Sequence, residues 1–139
     1  MKRLLFLSFL LALWPAFGSA ADFKIIVNKA NPATELSASE VAAMLTKRTT
    51  KWSDGTAVVP VDQVESSAVR AAFSSQVLRK PTAAVKSYWR QQIFGGLDTP
   101  PVEKLSDSQV IEFVRANRGA IGYVSNTSSL ETVKVVSVR

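Results

Sequence analysis

Trp52-Ser53-Asp54-Gly55-Thr56-Ala57-Val58-Val59-Pro60-Val61-Asp62-Gln63-Val64-Glu65-Ser66-Ser67-Ala68-Val69-Arg70-Ala71-Ala72-Phe73 reads in order as a tight turn, a strand, a short loop and the start of an amphipathic helix. Asp54-Gly55 supplies the turn, since Gly accepts positive φ and Asp bonds its own backbone. Ala57 to Val61 is apolar and largely β-branched, which suits a strand buried on both faces. Pro60 donates no hydrogen bond, so the strand is expected to end there or to run along an edge. Ser66 and Ser67 can cap a helix that carries Val69, Ala72, Phe73 and Val77 on one side. A loop leading from a strand end into a helix start offers free N–H groups and a positive dipole end, which suits an anion. An ordinary capped helix has the same pattern, so Ser66 and Ser67 are candidate ligand-binding residues and nothing more.

The ends of the chain and its composition bound the rest. Lys2 and Arg3 precede an apolar run, Leu4 to Trp14, which Pro15 breaks. Gly18-Ser19-Ala20 follows with small residues, so the spacing predicts a secretory signal peptide over 1–20, cut after Ala20 or Ala21. The run of about eleven residues is too short to anchor the chain across a bilayer, and no Cys follows it for a lipid anchor. About 118 residues remain, enough for one domain over 21–139. Setting aside Lys2 and Arg3 leaves 15 of the 17 basic residues against 11 acidic ones, a net charge of +4. The basic residues are scattered, with Lys47-Arg48, Arg79-Lys80 and Arg115/Arg118 the densest groups, too small for a nucleic-acid tract. Cysteine and histidine are both absent. Disulfide staples, Cys- or His-based metal sites and His-based catalytic triads are thereby excluded, and no cofactor or metal is expected.

Along the mature chain, Phe23–Asn28 opens as a strand and Asn31-Pro32 marks a loop. Ser37-Ala38-Ser39-Glu40 matches a capping box, and Val41, Met44 and Leu45 give that helix a buried face. Strand, helix and second strand in that order predict a parallel β-α-β unit. Thr82 can cap a third helix, on which Val85, Trp89 and Ile93 form an apolar stripe beside Tyr88. Gly95-Gly96 ends it, and Leu97 to Lys104 reads as an irregular loop. Ser106-Asp107-Ser108-Gln109 repeats the capping box before Val110, Ile111, Phe113 and Val114. Ala120–Val124 and Val133–Val138 return as strands, and Gly122 suggests a close approach. The expected fold class is α/β, with about four strands and about four helices.

Val27-Asn28-Lys29-Ala30-Asn31-Pro32, Lys51-Trp52-Ser53-Asp54-Gly55, Tyr88-Trp89, Phe94-Gly95-Gly96, Pro100-Pro101 and Gly119-Ala120-Ile121-Gly122-Tyr123-Val124 occur in this order. Together they resemble the periplasmic substrate-binding proteins of phosphate ABC transporters. That resemblance implies a single lobe of the type 2 periplasmic-binding-protein fold, with a mixed, mostly parallel sheet flanked by helices. It also implies a periplasmic, non-enzymatic solute-binding ancestry. Two departures stand out. The family has two lobes and this chain has the length of one. Where the family carries Ser-Gly-Thr at a helix start, with an arginine shortly before, this chain has Ser66-Ser67-Ala68 preceded by Asp62-Gln63-Val64-Glu65.

The expected partner is therefore a small anion such as phosphate, bound weakly, with a membrane-protein or cell-envelope partner as the alternative. A homodimer could complete the missing half of the clamp. No Gly-x-Ser-x-Gly elbow and no close carboxylate cluster supports catalysis. Mass spectrometry of the exported protein should show an N-terminus at Ala21 or Asp22; an intact Met1 on protein from the periplasmic fraction would contradict the signal-peptide reading.

Overall fold

The computed structural model describes residues 22–139, so the signal-peptide reading of 1–20 lies outside the described residues. The elements are β1 (Phe23–Val27), β2 (Glu35–Leu36), α1 (Ala38–Leu45), β3 (Val59–Gln63), α2 (Ala68–Phe73), α3 (Thr82–Phe94), β4 (Val102–Lys104), α4 (Asp107–Ala116), β5 (Ala120–Ser125) and β6 (Lys134–Val138). Between α2 and α3 the helix widens into a π-helical segment, Ser74–Leu78. The strands form one sheet in the order β2-β6-β1-β5-β3-β4. Only β1 runs against the others: it pairs antiparallel with both β5 and β6, whereas β2–β6, β3–β5 and β3–β4 are parallel. The sheet is mixed and mostly parallel.

This topology corrects one expectation. β1 and β3 are not a parallel pair, because β5 lies between them and pairs antiparallel with β1. Sequence order hid this, since β5 lies almost a hundred residues beyond β1 and hydrophobic pattern carries no direction. Pro60 is likewise inside β3 rather than at its end. Val59 donates to Gly119, just before β5, and Val64 donates to Lys104 of β4, so the N–H groups of even-numbered residues of β3 face β4. β4 begins opposite Val61, beyond the position where a donor from residue 60 would be needed. The missing N–H therefore costs no ladder bond.

Two apolar layers enclose the sheet. Ile25, Val27, Ile121, Tyr123 and Val136 pack with Val41, Met44, Leu45, Phe73 and Val77 on one face. Ile26, Val61 and Val124 pack with Val110 and Val114 of α4 on the other. Gly122 permits that second contact, because a Cβ there would stand 2.7 Å from Val61 Cγ1 and 2.9 Å from Val110 Cγ1. At the opening turn, Thr56 N–H donates to Asp54 Oδ1 at 2.9 Å and Gly55 takes φ +84°. The Trp52 indole N–H then donates to the Gly119 carbonyl at 2.9 Å, tying the turn to the chain before β5.

The helix starts follow the caps. Ser37 and Glu40 close a full capping box on α1. At α4, Ser106 accepts from Gln109 N–H, but the Gln109 side chain accepts from Leu105, one residue short of the reciprocal bond. α3 begins after Pro81 with no side-chain cap. The segment 97–104 is irregular only in part, because its end forms the edge strand β4.

The α3 stripe is half right. Val85 and Trp89 are buried, Trp89 being 5 % exposed, but Ile93 is 53 % and Phe94 89 % exposed. The last turn of α3 extends past the elements beneath it, so periodicity alone overestimated its buried length. Trp89→Ala should cost about 3–5 kcal/mol from lost burial and the cavity left behind. Phe94→Ala should stay within about 0.5 kcal/mol, as exposed sites do. Urea denaturation of both variants checks the pair, and similar losses would contradict this packing.

Candidate functional site

β3, β4 and β5 all point toward the N-terminal ends of α2 and α4, the edge where open α/β sheets place their ligands. The polar residues collected there come from the stretch in which β3 turns polar. Val61 is apolar, but Asp62 and Gln63 continue the strand and are buried. Buried polar groups require partners, and the neighbouring elements supply them.

Gln63 is the hub. Its backbone N–H donates to Asp62 Oδ1 at 2.8 Å and to Tyr123 Oη at 3.2 Å. Its side-chain Nε2 donates to Asp107 Oδ1 at 2.8 Å and to the Tyr123 carbonyl at 3.0 Å. Its Oε1 accepts from Ser67 Oγ at 2.8 Å. Ser67 in turn caps α2, its Oγ accepting from Arg70 N–H at 3.2 Å. The helix thus starts one residue later than Ser66 would place it. Ser66 is exposed in the turn before the cap, and the structure does not bring it into the network.

Arg70 lies buried between three acceptors. Its Nη1 donates to the Gln63 carbonyl at 2.8 Å and to Glu103 Oε1 at 2.9 Å, and its Nη2 stands 3.8 Å from Asp62 Oδ2. Burial works against its charge, but Asp62 and Glu103 outweigh it and hold the guanidinium above its ordinary value. Burial pushes the Asp62 carboxyl above the usual carboxylate value, which Arg70 and the Tyr123 hydroxyl offset only in part. Burial, and then the adjacent Asp62, push the Tyr123 hydroxyl up, so it stays a donor to that carboxylate.

At the start of α4, Asp107 has a second set of donors. Its Oδ2 accepts from Ser125 N–H at 3.2 Å, Ser125 Oγ at 2.5 Å and Ser128 Oγ at 2.7 Å. Partial burial raises this carboxyl, but the Ser125 and Ser128 hydroxyls and the Gln63 amide outweigh it and leave it below its ordinary value. Among the described residues, no buried side-chain nitrogen or oxygen lacks a partner. The buried side-chain donors of this corner are thus engaged by the protein's own carboxylates and amide. One guanidinium also faces two carboxylates, an unfavourable field for a phosphate dianion.

Of the residues in this network the sequence singled out only Ser67, as a helix cap and ligand-binding candidate, and it missed Gln63, Arg70, Asp107, Tyr123, Ser125 and Ser128. The one signal for them was Asp62-Gln63 directly following the five apolar residues Ala57 to Val61, a polar pair inside the register of a buried strand.

A family model of the PBP superfamily domain matches residues 20–138. The chain belongs to this family. Among solved structures, this PBP superfamily domain is similar to an ABC-type phosphate transport receptor from Vibrio cholerae, at 21% identity and a TM-score of 0.68. The likeness covers 85% of this chain and 46% of that one. A putative phosphate ABC transporter substrate-binding protein with bound phosphate, from Clostridium perfringens, is 22% identical with a TM-score of 0.68, over 85% of this chain and 45% of that one. A phosphate-binding protein from Stenotrophomonas maltophilia is 25% identical with a TM-score of 0.54, over 85% of this chain and 39% of its own. The PBP superfamily domain described here thus spans less than half the length of these relatives. No curated protein sequence matches it. Among the described residues no helix is long and apolar enough to cross a membrane, and no three His, Cys, Asp or Glu side chains are grouped to hold a metal ion.

The two carboxylates should act oppositely on stability. Asp107, held low, contributes stability above the unfolded carboxylate value, and this is lost as pH falls through its folded value. Asp62, held high, favours the fold most while protonated, and that contribution is lost as pH rises through its folded value. Denaturation across pH should show Asp107→Asn losing most at neutral pH and converging on the parent in acid. Relative to the parent, Asp62→Asn should improve as pH rises. Parallel profiles for the two variants would contradict these assignments.

Proposed function

We propose that this PBP superfamily domain is an exported, periplasmic, non-enzymatic binding domain that engages a membrane-protein or cell-envelope partner, with free phosphate bound only weakly. The observation that carries the reading is Ser67. Its hydroxyl caps α2 and donates to Gln63, so it has no proton to spare for an anion. Ligand groups would have to displace internal bonds that cost nothing to keep, in a corner that already holds excess negative charge. The edge of the sheet before α2 and α4 is then available to a protein surface.

A second reading keeps phosphate as the ligand, with two copies of the chain forming the clamp. It draws support from the relatives' greater length and from the bound phosphate of the Clostridium perfringens protein. Calorimetry on the monomeric mature protein at low salt tests both. Phosphate should bind no tighter than about 1 mM, equivalent to about −4 kcal/mol. Micromolar affinity abolished by Ser67→Ala would overturn the first reading, and affinity that rises with protein concentration would favour the second. A photo-crosslinker at exposed Ser66 should give a discrete adduct with one envelope protein in intact cells; adducts only with itself would again favour the second.

A further inference from the structure

On the face of the molecule formed by α1, the π-helical segment and α3 lies a cavity of about 300 Å³. Ala42, Leu78, Val85 and Tyr88 give it an apolar wall, and Arg48 and Lys80 supply two cations. We propose that this cavity is a binding site for a carboxylate carried on an apolar, ring-sized body.

The case rests on how the two cations are placed. Each directly follows a residue other than glycine in the left-handed region, Lys47 at φ 59° and Arg79 at φ 55°. Such residues are uncommon, cost energy and persist only where the surroundings hold them. Both sit at helix ends, and a basic residue there also offsets the negative end of the dipole. That role needs no common direction. Here two turns from different elements deliver their next residue to one cavity.

Both cations are held from behind. Arg48 Nε donates to Thr46 Oγ1 at 3.2 Å, and Thr46 Oγ1 donates to the Ala42 carbonyl at 2.7 Å. This leaves the two terminal nitrogens of the guanidinium, the pair that grips a carboxylate with two parallel bonds. The backbone of Lys80 is fixed by buried Ser74, which accepts from its N–H at 3.2 Å and donates to its carbonyl at 2.5 Å. Its ammonium lies 5.4 Å from the centre of the Tyr88 ring, so cation and aromatic surface are offered together. Neither Arg48 nor Lys80 makes a salt bridge among the described residues, and Asp98 is paired with Lys47 at 3.7 Å. Ser74 belongs to the π-helical segment, an irregularity frequent at functional sites.

The pairing of one fork-shaped and one compact cation with an aromatic wall selects against both small free anions and neutral rings. Inorganic phosphate lacks the apolar body, and an uncharged ring lacks the partner for Arg48. Ser67 caps the start of α2, whereas this cavity is lined by Leu78 and Lys80 at and beyond the end of its π-helical continuation, and it does not depend on the function proposed above.

Calorimetry on the purified mature protein with 2-naphthoate as probe tests the site, with naphthalene-2-methanol as its uncharged counterpart. Naphthoate should bind saturably, and the alcohol about tenfold or more weaker. Arg48→Ala and Lys80→Ala should each weaken naphthoate about tenfold, whereas Lys29→Ala, which removes the same charge from an exposed loop, should not. Circular dichroism of the variants separates a lost site from a lost fold. If naphthoate fails to bind the folded parent, or binds the Arg48 and Lys80 variants as well as the parent, the proposal is overturned.

Discussion

A guanidinium buried beneath the C-terminal edge of the sheet is the constraint around which this end of the molecule is arranged. A buried charge is tolerated only where partners compensate its loss of water, and an uncompensated one costs several kcal/mol. Arg70 therefore dictates the identity of its surroundings: Asp62 on β3, Glu103 on β4 and the backbone carbonyl of Gln63. Those three acceptors hold α2 against two adjacent parallel strands. The same requirement propagates outward, because Asp62 needs the Tyr123 hydroxyl and Gln63 needs Ser67 and Asp107. A single polar chain thereby connects α2, α4, β3, β4 and β5.

That chain decides what the domain can do at this edge. Similar folds among longer proteins include a phosphate transport receptor, and in this domain the corner is filled from within. Hydroxyls and amides that would be unsatisfied without a ligand are satisfied without one. The stacked rings of Phe73 and Tyr123, with centroids 4.0 Å apart and both buried, pack beneath the network. An edge built this way is acidic, and on the function proposed above it meets a protein surface rather than a free anion.

Much of the fold was legible because its signals are local. Ser37 and Glu40 announce α1, Asp54-Gly55 announces the turn, and Gly122 announces the close contact with α4. Strand direction was not, because the reversal of β1 is imposed by pairing with β5 and β6 far along the chain. The short edge strands β2 and β4 also escaped, since two or three residues carry no pattern. At the candidate site the sequence placed the helix cap within one residue, but the partners of Gln63 come from residues 67, 107 and 123. Only the folded sheet brings those together. Asp62 and Glu65, which precede the two serines where the resembled family carries an arginine, part company in the structure, with Asp62 buried against Arg70 and Glu65 exposed at 3.0 Å from Lys86.

The central claim is that the corner before α2 is filled by the protein itself. A crystal structure of the mature chain grown in concentrated phosphate tests it most directly. The account predicts Ser67 Oγ still bonded to Gln63 Oε1, Asp107 still bonded to Ser125 and Ser128, and no anion at the start of α2. Phosphate bound to Ser67 and the first N–H groups of α2, with Gln63 swung aside, would contradict it.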